Sequence, residues 1–187
     1  MPMNLLKDLP SDSDVTFALR TDLRPGELGA LISLHGTVYA RECGFDATFE
    51  VHVARLLGEF IHERTDRDGL WIAEREGCLV GSIAIVGRSG RDAQLCWLLV
   101  EPSARSSGLG RRLLHTAVEF CRRCEYEYVF FRSFRVLTAA PRLFRSVGFE
   151  KVGERSSKRW GVAMVEECYV LHPVGQRHPS PRELAST

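Results

Sequence analysis

No stretch of the sequence approaches the roughly 18 consecutive apolar residues that a membrane-spanning helix requires. The N-terminal residues carry neither a basic region ahead of an apolar core nor a cleavage pattern. The expectation is therefore a cytoplasmic protein with no membrane partner. Charge of one sign is also missing: 25 lysines and arginines stand against 24 aspartates and glutamates, leaving +1, which gives no footprint for nucleic acid. The six cysteines, at positions 43, 78, 96, 121, 124 and 168, are scattered rather than framed as in a small secreted domain. Cys121 and Cys124 form a lone CxxC, but no second CxxC or His pair completes a metal site. Their spacing from Leu113, Leu114, Ala117 and Val118 puts them on one apolar helical face, so packing is expected of them and no metal. No internal repeat is present.

What is there is a turn suited to phosphate. Residues 95–114 run from the apolar strand Leu95-Cys96-Trp97-Leu98-Leu99-Val100 through Glu101-Pro102-Ser103-Ala104-Arg105-Ser106-Ser107-Gly108-Leu109-Gly110 into Arg111-Arg112-Leu113-Leu114. A helix start leaves about four N–H groups without intrahelical partners, and the peptide dipoles place about half a positive charge there. Gly108 and Gly110 can adopt positive φ and admit close approach of a ligand, while Arg105 can fork onto phosphate oxygens. Two common phosphate loops do not fit. Gly110 is followed by Arg111-Arg112 where a P-loop needs Lys-Ser/Thr, and Leu113 stands where a dinucleotide fingerprint needs its third glycine. Ser106 and Ser107 have no evident base beside them and read as the small residues a cramped turn requires.

Along the chain, Val15 to Arg20 reads as a first strand after a mobile lead-in over 1–14. Pro25-Gly26-Glu27 opens a helix through about Tyr39, and Asp46 starts a second, in which Phe49, Val53, Leu56, Leu57, Phe60 and Ile61 recur at helical spacing. Leu70–Glu74 and Leu79–Val86 read as strands joined by a turn at Arg75–Cys78, and Ala93–Val100 as a third. After the helix that follows the loop, Tyr126–Phe134 is a strand. Thr138 caps a helix to Val147 with Pro141 in its first turn, and Gly148 ends it. Phe149–Glu154 and Met164–Leu171 are the last strands, with Lys158-Arg159-Trp160 in the loop between them. The whole is a single domain over 15–172, followed by a disordered Pro-rich tail over 173–187.

The motif Arg105-x-x-Gly108-x-Gly110 after a strand ending in Leu-x-Val-x-Pro102 resembles the acetyl-CoA pyrophosphate loop of the GNAT superfamily of N-acetyltransferases. The element order over about residues 15–171 and the segment Ala139-Ala140-Pro141-Arg142-Leu143-Phe144 to Gly148-Phe149 resemble the same superfamily. Phe144 replaces the usual Tyr, and Phe134 stands where many members have Asn. Within the superfamily, His35-Gly36, Tyr39-Ala40-Arg41-Glu42, Gly44-Phe45-Asp46 and Phe49-Glu50 resemble the helix-loop-helix of acetyltransferase domains fused to MarR-type regulators. Only fourteen residues precede the first strand here, so DNA binding is not expected to carry over.

The resemblance implies an α+β fold, layered α/β/α. It has a mixed, mostly antiparallel central sheet of about seven strands flanked by about four helices, with a splayed parallel pair after the third meander strand. It implies acetyl transfer from acetyl-CoA, as cosubstrate and without a metal, to an amine of a small molecule or peptide, in a protein able to form a homodimer. The cofactor would be held by Leu98, Leu99 and Val100, by Arg105 to Arg111 (Ser106, Ser107, Gly108, Leu109, Gly110), and by Ala139 and Phe144. A β-bulge would free a backbone N–H at Leu98 or Leu99 for the thioester oxygen.

The amine must lose its proton, which at pH 7 costs about 4.6 kcal/mol for a lysine-like group and about 1.4 kcal/mol for an α-amino group. Glu42, His35 and Tyr39, between the first two helices, are the candidate bases or acceptor ligands, and Glu74 is a lesser one. Phe144 has no proton to give the departing thiolate. A CoA-binding sensor domain that has lost catalysis is thus the competing expectation.

Overall fold

A computed structural model describes residues 16–138 and 140–174. The strand order is β1-β2-β3-β4-β5-β7-β6, built from β1 (Ala18–Arg20), β2 (Gly69–Arg75), β3 (Cys78–Gly87), β4 (Asp92–Val100), β5 (Tyr128–Phe134), β6 (Glu150–Arg159) and β7 (Val162–Leu171). All neighbours pair antiparallel except β4 and β5, which are parallel. Helices α1 (Glu27–Cys43) and α2 (Ala47–Glu63) cover one face, while α3 (Leu109–Arg123) and α4 (Ala140–Arg145) cover the other. This is the α/β/α arrangement with the parallel pair after the third meander strand.

Two apolar cores follow from the alternation of side chains along the strands. Leu31, Phe49, Val53, Leu57 and Phe60 of α1 and α2 pack on Leu70, Ile72 and Ala84. Leu113, Leu114, Ala117, Val118 and Cys121 of α3 pack on Ile83, Ile85, Leu95 and Val129. Cys121 is fully buried in this second core, and Cys124 packs partly buried against it.

Several boundaries differ from the sequence reading, each for a local reason. Helix α1 continues past Tyr39 to Cys43 and stops at Gly44, whose φ of 71° and N–H to the Ala40 carbonyl form a left-handed cap. Glu42 therefore sits in its last turn. Asp46 caps α2 as expected, accepting from the Thr48 N–H at 2.9 Å. Strand β5 begins at Tyr128 because Tyr126 turns its hydroxyl to the Arg67 carbonyl, 2.7 Å away. Helix α4 ends at Arg145 and not at the expected Val147, because residues 146–148 form a turn in which the Gly148 N–H donates to the Arg145 carbonyl and the Phe149 N–H to the Phe144 carbonyl.

The largest difference is β6, which runs on to Arg159 in register with β7, so Lys158 and Arg159 belong to a strand and not a loop. The turn is Trp160-Gly161, with φ of 51° and 80°, the backbone of a tight hairpin. Its Trp160 carbonyl accepts the Asp46 N–H at 3.0 Å, docking the hairpin tip on the corner between α1 and α2. The expectations for 1–14, for Val15 and for 175–187 lie outside the described residues, as does the one for Ala139.

Candidate active site

Strands β4 and β5 pair only through Asp92, Ala93 and Gln94 with Tyr128, Val129 and Phe130. Beyond that point they separate. The opening is part of a cleft of about 1700 Å³ that also reaches α1, α2, the turn before α3 and α4.

The β4 side of the opening carries the expected bulge. Ser82 faces Leu99 and Ala84 faces Cys96, so Trp97 and Leu98 together oppose Ile83. Trp97 takes the left-handed conformation at φ 48°, which is uncommon for a bulky residue and marks an imposed local geometry. Ser82 secures it, its hydroxyl donating to the Trp97 carbonyl at 2.8 Å. Neither Ser82 nor Trp97 was singled out from sequence. Their signal is a non-local register shift, which no local pattern carries.

At the end of β4, Pro102–Ala104 forms a 3-10 turn, and Ser106 and Gly108 follow with φ of 64° and 83°. The first bond along α3 runs from the Arg112 N–H to the Gly108 carbonyl. The N–H groups of Gly110 and Arg111 thus precede the helical ladder and point out of its N-terminus. Ser107 steadies the turn by donating to the Ala104 carbonyl at 2.7 Å.

The two glycines do different work. Gly108 needs its positive φ and has open space where a Cβ would lie, whereas Gly110 has no positive φ, and a Cβ there would meet Leu143 at 3.3 Å. The expectation of positive φ at Gly110 is therefore corrected: its missing side chain lets α3 approach α4. A diphosphate fits this cradle on the chemistry of its donors: outward N–H groups, open space at Gly108 and the cationic Arg105 and Arg111 on the cleft wall. Arg112 instead donates to the Phe17 carbonyl at 2.8 Å and holds the N-terminal strand.

Arg105 and Glu42, singled out for different roles, meet. The guanidinium lies 2.7 Å from the Glu42 carboxylate and donates through Nε to the Val100 carbonyl at 3.1 Å. Tyr39, one turn before Glu42, lines the same cleft. Burial pushes its phenol pKa up, so it stays protonated. His35 is 2% exposed. Its Nδ1 bonds the Leu31 carbonyl at 2.9 Å, which places the proton on Nδ1, and Nε2 is buried without a hydrogen-bond partner among the described residues. Burial pulls its pKa down to about 4, so the ring is neutral at physiological pH. Glu74 does not line the cleft. It accepts from Arg20 and Arg24 at 2.9 and 3.1 Å in a cluster with Glu27.

Phe144 faces the cleft from α4 and packs on Phe131 with ring centroids 3.8 Å apart. On the opposite wall, Tyr39, Phe49, Phe134 and Trp160 form an aromatic patch, with Phe134 and Trp160 at 5.8 Å. Beyond Phe134 lie Arg132, Cys168, Glu166 and Arg155; the sequence places Arg132, Glu166 and Cys168 within strands without singling them out for the site, and Arg155 lies beyond the expected end of β6. Among the described residues, no three His, Cys, Asp or Glu side chains gather as a metal site, and no helix is long and apolar enough to cross a membrane.

Comparison with known proteins agrees with this geometry. yncA from Salmonella typhimurium, solved with its cofactor acetyl-CoA, superimposes with a TM-score of 0.71 at 17% identity, covering 89% of this chain and 99% of that one. The ribosomal-protein-alanine N-acetyltransferase from Brucella melitensis gives a TM-score of 0.69 at 21% identity, covering 83% and 99%. At these identities the likeness is one of fold. Among curated proteins, N-acetyltransferase family 8 member 3 from Rattus norvegicus is 33% identical over 89 residues, 45% of this chain and 39% of that protein. Human N-acetyltransferase 8B is 26% identical over 107 residues, 54% of this chain and 46% of its own length. The chain thus spans less than half the length of these curated relatives. The family model for the acetyltransferase (GNAT) family matches residues 37–149, which include the last turns of α1, the bulged strand, the phosphate turn and α4. With more than half of its residues matched, the chain belongs to the acetyltransferase (GNAT) family.

Proposed function

We propose that the protein transfers the acetyl group of acetyl-CoA directly to a primary amine of a small molecule or peptide. The observation that carries this reading is the parting of β4 from β5 after Gln94, with the Trp97–Leu98 bulge and the turn at 105–111 on one side of the gap. Bound there, acetyl-CoA supplies an activated thioester. The chain's own residues do the rest. The outward N–H groups of Gly110 and Arg111, with Arg105, hold the diphosphate. The edge of β4 from Leu98 to Val100 pairs with the pantetheine amides, and a backbone N–H of the bulge, at Leu98 or Leu99, donates to the thioester oxygen. Fixing both reactants in this gap is worth up to about 7–11 kcal/mol.

Proton handling follows from the surroundings of each group. His35 is already neutral, but its Nε2 is enclosed, which suits it to shaping the wall and not to shuttling protons. Glu42 is held by Arg105 and serves the acceptor as a ligand only when released. Tyr39 keeps its proton and so stays a neutral hydrogen-bond donor on the wall opposite Phe144, which itself has no hydroxyl to offer. The likeness of the α1–α2 corner to MarR-fused acetyltransferase domains, a cytoplasmic location and a homodimer belong to the same reading.

A CoA-binding sensor is the second reading, favoured by the packed, hydroxyl-free Phe144. Titration with acetyl-CoA, followed by assay of CoA release over a broad amine panel, separates the two. Release with at least one amine supports transfer, binding without release on any amine supports the sensor, and no acetyl-CoA binding overturns both. Arg105→Ala is expected to weaken acetyl-CoA binding more than acceptor binding.

A further inference from the structure

The ladder between β3 and β4 is interrupted at the bulge alone, and the hydrogen bonds on either side of it fix where each backbone group there points. In an antiparallel pair, residues that exchange hydrogen bonds alternate with residues that do not. Past the bulge the Glu101 N–H donates to the Val80 carbonyl at 2.8 Å. Two residues back, Leu99 and its register partner Ser82 are therefore again a bonded pair, and the Leu99 N–H is committed to β3. Before the bulge the Arg88 N–H donates to the Asp92 carbonyl at 2.8 Å. By the same alternation Val86 with Gln94, and then Ala84 with Cys96, are bonded pairs. Trp97 and Leu98 are left between two bonded pairs, opposite the single residue Ile83.

The extra peptide unit is the one that joins Trp97 to Leu98. Its carbonyl accepts from the Ser82 hydroxyl at 2.8 Å. Ser82 lies in register with Ile72 and two residues from Ala84, both in the core of α1 and α2, so its side chain stands on that face of the sheet. The Trp97 backbone also favours the charged form of His35, which reaches the same face from α1, as a carbonyl turned that way does. The peptide is trans and planar, so the Leu98 N–H points opposite to this carbonyl, away from β3. Strand β4 lies between β3 and β5, and at this height β5 has parted from it. The Leu98 N–H thus faces the gap.

Ser82 is fully buried and is the one hydroxyl residue between Leu79 and Val86. It does not line the cleft, so it acts there only through the Trp97 carbonyl. Holding that carbonyl fixes the plane of the peptide, and it also polarises the N–H at the other end, since linked hydrogen bonds strengthen one another.

We propose that the Leu98 N–H, and not that of Leu99, is the donor to the thioester oxygen, and that Ser82 is the positioning residue that aims it. This rests on the acetyl-transfer reading for the identity of the guest. Negative charge gathers on that oxygen as the amine nitrogen bonds to its carbon, and an N–H already aimed meets it without rearrangement.

The test has two spectroscopic arms on the full chain, neither of which needs turnover. In the amide resonance spectrum, exchanging CoA for acetyl-CoA is expected to shift Leu98 more than Trp97 or Leu99. In difference infrared spectra with acetyl-CoA isotopically labelled at its acetyl carbonyl, binding is expected to lower the carbonyl stretch. Ser82→Ala is expected to remove most of that lowering, and Ser82→Thr, which keeps the hydroxyl, to retain it. With an amine that releases CoA, Ser82→Ala is expected to reduce kcat by about tenfold or more, against about 10²–10³ for outright loss of such a donor. Its acetyl-CoA affinity should stay close to that of the unaltered chain, since the phosphate turn is untouched. If Ser82→Ala does not fold, the amide arm on the unaltered chain still decides the donor. A dominant response at Leu99 or Trp97, or an unchanged stretch in Ser82→Ala, overturns the proposal and leaves acetyl transfer standing wherever CoA is released to an amine. A Leu98 response with a lowered stretch but no CoA release from any amine upholds the donor and removes acetyl transfer. No binding of acetyl-CoA overturns both.

Discussion

His35 shows how much a single buried ring can impose. Its folded-state pKa lies near 4 against 6.5 for the free side chain, because burial penalises the charged form more than the Leu31 carbonyl favours it. The unfolded chain therefore takes up this proton first. The resulting stability is fully present above pH 6.5 and is lost as pH falls from 6.5 toward 4. The shift corresponds to about 3 kcal/mol. Replacing His35 with Leu should flatten the acid side of the stability curve by roughly that amount, as measured by urea unfolding at pH 7 and pH 4. The same burial removes His35 from the residues able to set the pH dependence of a reaction near neutrality. Its neighbour Tyr39 is displaced in the opposite sense for the same reason, since the charged form of a phenol is the deprotonated one.

Where α1 ends, an element meets the loop that precedes α3, and Glu42 and Arg105 tie them together. A diphosphate arriving at the loop competes with Glu42 for the guanidinium. Glu42→Gln is accordingly expected to tighten acetyl-CoA binding by up to about fivefold, the upper range for a partly exposed pair, in a calorimetric titration. Weaker binding would instead mean that Glu42 orients Arg105 for the cofactor. This pairing was not legible in the sequence, although both residues were, because it joins positions brought together only by the fold. The turn from Pro102 to Gly110 was legible because its requirements are local: positive φ, small side chains and a helix start. The helices were legible from their apolar spacing. The second half of β6 was not, because Arg155 to Arg159 places polar residues on both faces of the strand, one toward solvent and the other toward the cleft, and leaves no alternation to read. With that half-strand went Arg155, while Arg132 and Glu166 lay in expected strands whose cross-strand pairing no local pattern carries.

At the scale of the molecule, the sheet is continuous but closely paired on either side of a short seam, since β4 and β5 share only three residue pairs. The core under α3 and α4 spans the seam through Ile83, Leu95, Val129 and Phe131, so the gap is held open from below and not left slack. The hairpin tip reaches across from the far side to the α1–α2 corner, and Trp160 is fixed there by its carbonyl bond to Asp46. Trp160 lines the cleft on the acceptor side and Trp97 sits at the bulge. The third tryptophan of the chain, Trp71, is 7% exposed and packs on Phe120 beneath α3. The protein therefore carries its own optical reporter at each half of the cleft and an internal reference away from both. Acetyl-CoA is expected to change emission that Trp97→Phe removes, and an acceptor to change emission that Trp160→Phe removes, with Trp71 constant. Light alone can thus time the filling of the two halves separately.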